Sequence, residues 1–163
     1  MVKIREARTE DFPHIWPIFE RIMQAQDAYA FDPNTSQEEA FTIWMTRPLK
    51  TFVAENEGKI LGSYYIVANK SGPGKHVSNC GYMVSENARG QGIAKLMCEH
   101  SQQVAVDFGF KAMQFNMVVS SNAPAVKLWQ KLGFDIVGTI PRAFNHAELG
   151  FVDAYVMYKW LAD

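Results

Sequence analysis

The sequence predicts an α/β (α+β) protein in which helices cover a mixed β-sheet. Three observations lead there. Segments of two-residue alternation and segments of helical periodicity follow one another in the order β-α-α-β-β-β-α-β-α-β-β. A strand ending at Val84 passes through Arg89-Gly90-Gln91-Gly92 into a long amphipathic helix. The 163 residues, 48% hydrophobic and 20% charged, suit a single domain spanning 1–163 with an ordinary globular composition.

Alternation from Lys3 to Arg8 marks the first strand. Thr9-Glu10-Asp11 caps a helix with Pro13 in its first turn and Ile15, Ile18, Phe19, Ile22 and Met23 as its apolar stripe. Asp27 to Thr35 is a loop carrying two aromatics that read as exposed, Tyr29 and Phe31. Ser36-Gln37-Glu38-Glu39 opens a second helix, through Trp44. Strands over Thr51–Glu55 and Lys59–Ala68 form a hairpin about Asn56-Glu57-Gly58. After a loop at Ser71–Lys75, His76–Val84 is a strand with Val77, Asn79, Gly81 and Met83 on one side. The helix after Gly92 runs to Phe108, buries Ile93, Leu96, Met97, Val104 and Phe108, and stops at Gly109. Ala112–Val119 is a strand whose core face is Met113, Phe115, Met117 and Val119. A short helix over Asn122–Leu132 ends at Gly133, and strands Phe134–Ile140 and Val152–Trp160 flank an irregular loop.

A net charge of −1, with no Lys/Arg block, argues against a nucleic-acid partner. Cys80 and Cys98 have neither C-x-x-C spacing nor a nearby His pair, so no disulfide, zinc site or other metal is expected. That suits a reducing, cytoplasmic setting. The charged N-terminal residues do not read as a signal peptide, and no apolar run approaches the roughly 18 residues of a membrane span. A homodimer is a further expectation.

The chemistry is concentrated in Val84 to Leu96, VSENARGQGIAKL. Two glycines where a strand turns into a helix let backbone N–H groups approach an anion, and the helix N-terminus adds a favourable field; a pyrophosphate is the usual guest. Glycines also make tight turns without a ligand. The string G-x-x-x-x-G-K-[ST] of a P-loop does not occur, and the run Gly90-x-Gly92-x-x-Lys95 lacks the third glycine of a dinucleotide fingerprint.

Arg89-Gly90-Gln91-Gly92-Ile93-Ala94 resembles the [RQ]-x-x-G-x-[GA] signature of the GCN5-related N-acetyltransferases (GNAT). Downstream, Asn122 to Phe134, NAPAVKLWQKLGF, resembles that family's N-x-x-A-x-x-[LF]-[YW]-x-K-x-G-F helix. The order of elements matches as well, so the resemblance covers nearly the whole chain. It implies a central, mostly antiparallel seven-stranded mixed sheet flanked by about four helices, with a splay between the fourth and fifth strands. It implies acetyl-CoA as co-substrate, its pyrophosphate on the backbone of Arg89, Gly90, Gln91, Gly92, Ile93 and Ala94, and its pantetheine lying as a pseudo-strand in the splay. Further cofactor contacts are expected from Met83, Val84, Asn122, Ala125, Leu128, Trp129 and Lys131. The N–H near Val84 would polarise the thioester carbonyl.

Many family members carry, at the position of Trp129, a tyrosine supposed to protonate the leaving thiolate. An indole N–H is not a useful acid at neutral pH, but a thiol of pKa about 8.5 leaves near pH 7 with only about 2 kcal/mol at stake. Trp129 also reads as a core aromatic beside Leu128 and Leu132. The strings NCGYMV, FNMVVSSNAPAVKLW and GFVDAYVMYK resemble, more narrowly, fungal members that N-acetylate proline analogues such as azetidine-2-carboxylate, which also have Trp at this position. By that resemblance Val84, Asn116 and Asn122 serve catalysis, and Asn79, Tyr82 and Asn116, roofed by Tyr29 and Phe31, bind the acceptor. Asn is depleted in strands, so Asn79 and Asn116 near one splay stand out from ordinary strand polar groups. His76, His146, Glu148 and Asp153 are weaker candidates for proton relay. A small-molecule amine, an amino acid or proline analogue, is the expected acceptor. A peptide or protein amine and a non-catalytic CoA-binding module are the alternatives.

Overall fold

A computed structural model describes residues 1–163. The elements are β1 (Lys3–Glu6), α1 (Phe12–Ala25), α2 (Gln37–Phe41), β2 (Lys50–Asn56), β3 (Lys59–Ala68), β4 (Val77–Val84), α3 (Ile93–Asp107), β5 (Ala112–Val119), α4 (Ala123–Lys131), β6 (Asp135–His146) and β7 (Gly150–Trp160). The seven strands form one mixed sheet in the order β1-β2-β3-β4-β5-β7-β6. Every neighbouring pair is antiparallel except β4 and β5. The expected sheet and its four helices are therefore present. No helix is long and apolar enough to cross a membrane.

Local signals explain most boundaries. Ser36 accepts from the Glu39 N–H at 3.1 Å while the Glu39 carboxylate accepts from the Ser36 N–H at 3.2 Å, the reciprocal box that starts α2. Only one α-helical turn follows before the backbone widens into a π-helical stretch, Thr42–Thr46, and not a continuous α-helix through Trp44. The wider turn buries Trp44, whose indole N–H reaches Ser63 Oγ at 2.9 Å. Glu57 and Gly58 both have positive φ, the two-residue turn whose twist suits an antiparallel hairpin.

Each sheet face carries its own core. On one side α3 and α4 cover Tyr64, Cys80, Tyr82, Met113, Phe115 and Met157; on the other α1, α2 and the π-helical turn cover Val53 and Met83. Ile15, Ile18, Phe19 and Met23 are buried as the stripe of α1 predicts.

Three further expectations are corrected. α3 buries Ile93, Met97, Cys98, Ser101 and Ala105, while Leu96 and Phe108 are exposed. Small side chains let the helix approach the sheet, and Ser101 is satisfied by the Tyr82 hydroxyl at 2.7 Å, so apolarity alone misplaced the face. Met117 is exposed and Val118 buried, because β5 breaks register with β7 between Phe115 and Val118 and the alternation slips. The region after Ile140 is not an irregular loop: pairing of β6 with β7 resumes beyond a bulge and continues to His146 and Gly150. Asp153 Oδ1 accepts the N–H of Arg142, which has positive φ at this bulge (3.0 Å).

The edge strand β1 is tied down by charge. Arg5 donates from Nη1 and Nη2 to the two oxygens of Asp11, each at 2.8 Å, and from Nη2 to Glu55 at 2.9 Å. The hydrogen bonds from Arg5 hold the Asp11 carboxyl below the usual carboxylate range. A folded-state value below the unfolded one stabilises the protein above the ordinary carboxylate pKa of about 4, and that stability is lost as pH falls through the folded value. We expect Asp11→Asn to cost about 2 kcal/mol at pH 7 in urea melts, with the gap to the parent closing as pH falls below about 4. A gap independent of pH would show that the loss is not ionic.

Candidate active site

β4 and β5 pair only at Val77↔Ala112 and Ser78↔Met113 and then diverge. Just beyond the last of these pairs, β5 shifts register against β7 between Phe115 and Val118. β4 bonds to β3 through its odd-numbered residues: the Asn69 N–H reaches Val77 O and the Ser85 N–H reaches Leu61 O, both at 2.8 Å. In an antiparallel ladder the alternate residues face the other way, so the backbone N–H and C=O groups of Cys80, Tyr82 and Val84 point into the gap.

Two cavities occupy it. One, of about 390 Å³, is walled mainly by apolar residues and holds Asn79, Asn116 and Asn122 with Tyr29, Phe31, Tyr65 and Trp129. The other, of about 700 Å³, lies along the turn into α3 and the start of α4. They share Asp27, Ala28, Val84, Arg89, Ala94 and Asn122, where they meet.

The second cavity is lined by backbone donors. Gly90 and Gly92 have φ of +77° and +78°, a left-handed geometry that favours glycine, and a Cβ at either would meet nothing within 4 Å. The space above the turn is therefore open. The first helical bond of α3 runs from the Leu96 N–H to Gly92 O at 3.0 Å, so the N–H groups of Ile93, Ala94 and Lys95 have no acceptor within the helix. Those donors, the helix dipole and Arg89 favour a phosphate-like group. Gln91, expected here, lies outside both cavities, its side chain turned back to Asn87 O at 3.3 Å.

The first cavity is polar in its amides and otherwise apolar. Asn122 stands at the N-cap of α4 yet makes no side-chain cap bond, so its amide remains available. Asn116 donates to Asn69 Oδ1 at 2.7 Å and accepts from Gln114 Nε2 at 3.0 Å, so its amide is partly committed to an exposed chain. Trp129 unites its two readings: it packs between Tyr82 and Phe115, each with ring centroids 5.1 Å away, and also lines the cavity. Val84, Ala125 and Leu128 likewise line the groove.

Several expected residues stand elsewhere. Tyr82 borders the first cavity, but its ring points into the core under α3, where its hydroxyl meets Ser101. Met83, on an odd position of β4, is 1% exposed in the α1-side core and borders neither cavity. Lys131 is exposed at the last position of α4 and borders neither cavity. His76 packs against Trp160, and Asp153 serves the β6 bulge; neither they nor Glu148 border either of these two cavities. His146 does border the second cavity, its Nδ1 accepting the Glu148 and Leu149 N–H groups at 3.1 and 3.2 Å.

Two wall residues escaped the sequence reading. Tyr65 lies across β4 because Gly81 has no side chain: a Cβ there would sit 2.6 Å from the ring. A mid-strand glycine was the available signal. Asp27, the one carboxylate bordering either cavity, had none. Burial raises the Tyr29 and Tyr65 hydroxyls above the ordinary phenol range and pushes the Cys80 thiol up to about 12. The walls thus offer protonated groups, with no thiolate nucleophile and no phenolate base.

A family model described as "Acetyltransferase (GNAT) family" matches residues 1–134. The chain is 35% identical over 98 residues to the N-acetyltransferase aca1 of Schizosaccharomyces pombe, covering 60% of this chain but 47% of that protein, so it spans about half the length of this relative. It is 26% identical to the L-amino acid N-acetyltransferase AaaT of Escherichia coli, covering 97% of each. Among solved structures it is similar to a GCN5-related N-acetyltransferase from Kribbella flavida, with 42% identity, a TM-score of 0.94, and coverage of 98% of this chain and 97% of that one.

The missing cap bond at Asn122 has a measurable consequence. Asn122→Ala should change stability by less than about 0.5 kcal/mol in urea melts, where loss of a working N-cap costs about 1 kcal/mol. A loss of that size would assign the amide to the fold.

Proposed function

The chain belongs to the acetyltransferase (GNAT) family; from that premise we propose that it transfers an acetyl group from acetyl-CoA to the nitrogen of a small amino acid or proline analogue, by direct attack in a ternary complex. The observation that carries the reading is the meeting of two unlike cavities at Val84 and Asn122, one suited to a diphosphate and the other to a small polar molecule.

The fit of acetyl-CoA is a matter of donor chemistry. The N–H groups of Ile93 to Lys95 and the Arg89 side chain would hold its diphosphate. The edge of β4 that faces the gap would pair with the amides of its extended arm, as an added strand does. When bound, it would supply a thioester whose acyl carbon a neutral amine nitrogen attacks while the C–S bond breaks, coenzyme A leaving as the thiolate and the nitrogen's proton passing to water. The Val84 N–H would stabilise the charge that develops on the carbonyl oxygen. Trp129 cannot donate a proton to sulfur, and a thiolate leaves without one. Cys80 stays a thiol, which favours direct transfer over a cysteine-bound acyl group.

The acceptor cavity supports a small zwitterion. Neutral amides from Asn79 and Asn122 can donate to a carboxylate and accept from an N–H, and Asp27 at the junction complements an incoming ammonium. The likeness to AaaT favours an amino acid as well. The attacking nitrogen must be neutral, which an amine of pKa near 10 is only about one part in a thousand at pH 7.

The test is release of free thiol from acetyl-CoA with azetidine-2-carboxylate, proline analogues, ordinary amino acids, polyamines and short peptides side by side. Turnover should be confined to the small amino acids and should rise with pH through about 8. Activity only with peptides or polyamines would refute the acceptor class, and none with any amine would favour a non-catalytic CoA-binding module. Asn79→Ala should raise KM for the acceptor about tenfold and leave acetyl-CoA binding unchanged. Gly92→Val, which forces a β-branched residue into left-handed geometry at the anion site, should weaken acetyl-CoA binding at least tenfold, read by calorimetry on protein shown to be folded.

A further inference from the structure

Among the three β4 residues whose backbone faces the gap, Tyr82 already has a partner. Its N–H donates to the Tyr29 hydroxyl at 2.7 Å, and the same hydroxyl donates to the Tyr82 carbonyl. One phenol oxygen thus performs both hydrogen bonds that an adjacent strand would make with this peptide. Tyr29 reaches in from the loop between α1 and α2, and that loop is held on either side of it. Gln26 O accepts the Ala147 N–H from the tip of the β6–β7 hairpin at 3.1 Å, and Asp32 folds the other end by accepting from the Asn34 N–H at 2.7 Å. The Tyr29 ring stacks on Phe31 at 6.1 Å with planes 10° apart, and Phe31 stacks on Phe19 of α1 at 6.0 Å.

We propose that Tyr29 is a positioning residue that holds the Tyr82 peptide in place of the acyl donor, and that binding of the donor's amide-bearing arm along β4 displaces its hydroxyl toward the acceptor cavity. The inference rests on the reading of acetyl-CoA as donor. It follows from a conflict over bonds. An extended ligand pairing with the β4 edge needs the N–H and C=O of alternate residues, and at Tyr82 both are taken. Without Tyr29 these two groups would lack a protein partner inside the fold, a costly state for a peptide. The hydroxyl therefore stabilises the free protein and competes with the ligand. Because Tyr29 also borders the cavity of Asn79 and Asn116, its release changes the acceptor's seat only after the donor is bound.

The experiment compares acetyl-CoA with ADP, which carries a diphosphate but no arm, by calorimetry on the parent and Tyr29→Phe. Removing the competing hydroxyl should tighten acetyl-CoA about tenfold and leave ADP unchanged, while the melting temperature of the free variant falls and acetyl-CoA restores most of the difference. A merely structural role would not produce tighter binding. Unchanged or weaker acetyl-CoA binding, or tightening shared with ADP, would overturn the proposal; so would a fall in kcat at unchanged affinity, since the hydroxyl would then be acting on the bound reactants. A parent protein that binds no acetyl-CoA would instead remove the reading on which it rests. Should Tyr29→Phe not fold, Phe31→Leu loosens the stack that aims the hydroxyl, and tightening of acetyl-CoA by about threefold, with ADP unchanged, is expected; its absence is equally fatal.

Discussion

The arrangement of this protein depends on one interrupted interaction, the parallel pairing of β4 with β5 that stops after two residue pairs. A continuous ladder there would close the sheet and satisfy the backbone of Cys80, Tyr82 and Val84. The interruption instead leaves hydrogen-bonding groups at the centre of the sheet, where solvent access is limited and unpaired peptides are costly. It persists because the strands are fixed by other neighbours. β4 is held along its whole length by β3, and β5 is held on its far side by β7, whose register slips at the point of divergence.

The gap joins two chemistries that a single smooth pocket would not combine. At one end the donors are main-chain amides at a helix start, made accessible by two glycines in left-handed geometry. At the other they are side-chain amides projecting from strands and from a helix N-cap, enclosed by aromatic rings. Burial leaves the tyrosines and Cys80 of that wall protonated, so the enclosure contributes shape and hydrogen bonds without adding a nucleophile or a base. Charge enters at the junction through Asp27 and Arg89, which border both cavities.

The aromatic packing around the gap has a double use. Trp129 and Phe115 complete the core beneath α4 while presenting an edge to the cavity, and Tyr65 does the same on the opposite face through the space left by Gly81. Tyr29, which its loop sequence presented as an exposed aromatic, is drawn in by the one backbone segment that lacks a strand. The core and the cavity walls thus draw on the same side chains around the splay.

The sequence alone determined whatever depends on near neighbours in the chain. The order of strands and helices, the Ser36–Glu39 box, the Glu57-Gly58 turn and the paired glycines before α3 are set by local dihedral preferences and by side chains that reach three or four residues away. The family signature rests on the same short range, and it falls on the turn that lines the larger cavity. Tertiary structure decided the rest. Which face of α3 is buried depended on the sheet accepting Cys98, Ser101 and Ala105 at close range. The burial of Val118 in place of Met117 depended on a register slip with β7. The assignment of Met83 and Tyr82 to opposite cores, with the Tyr82 backbone facing the gap, depended on which β4 residues β3 engages. Residue type carries no record of these outcomes, because a backbone hydrogen bond is the same group at every position and only the placement of distant strands determines which ones remain free.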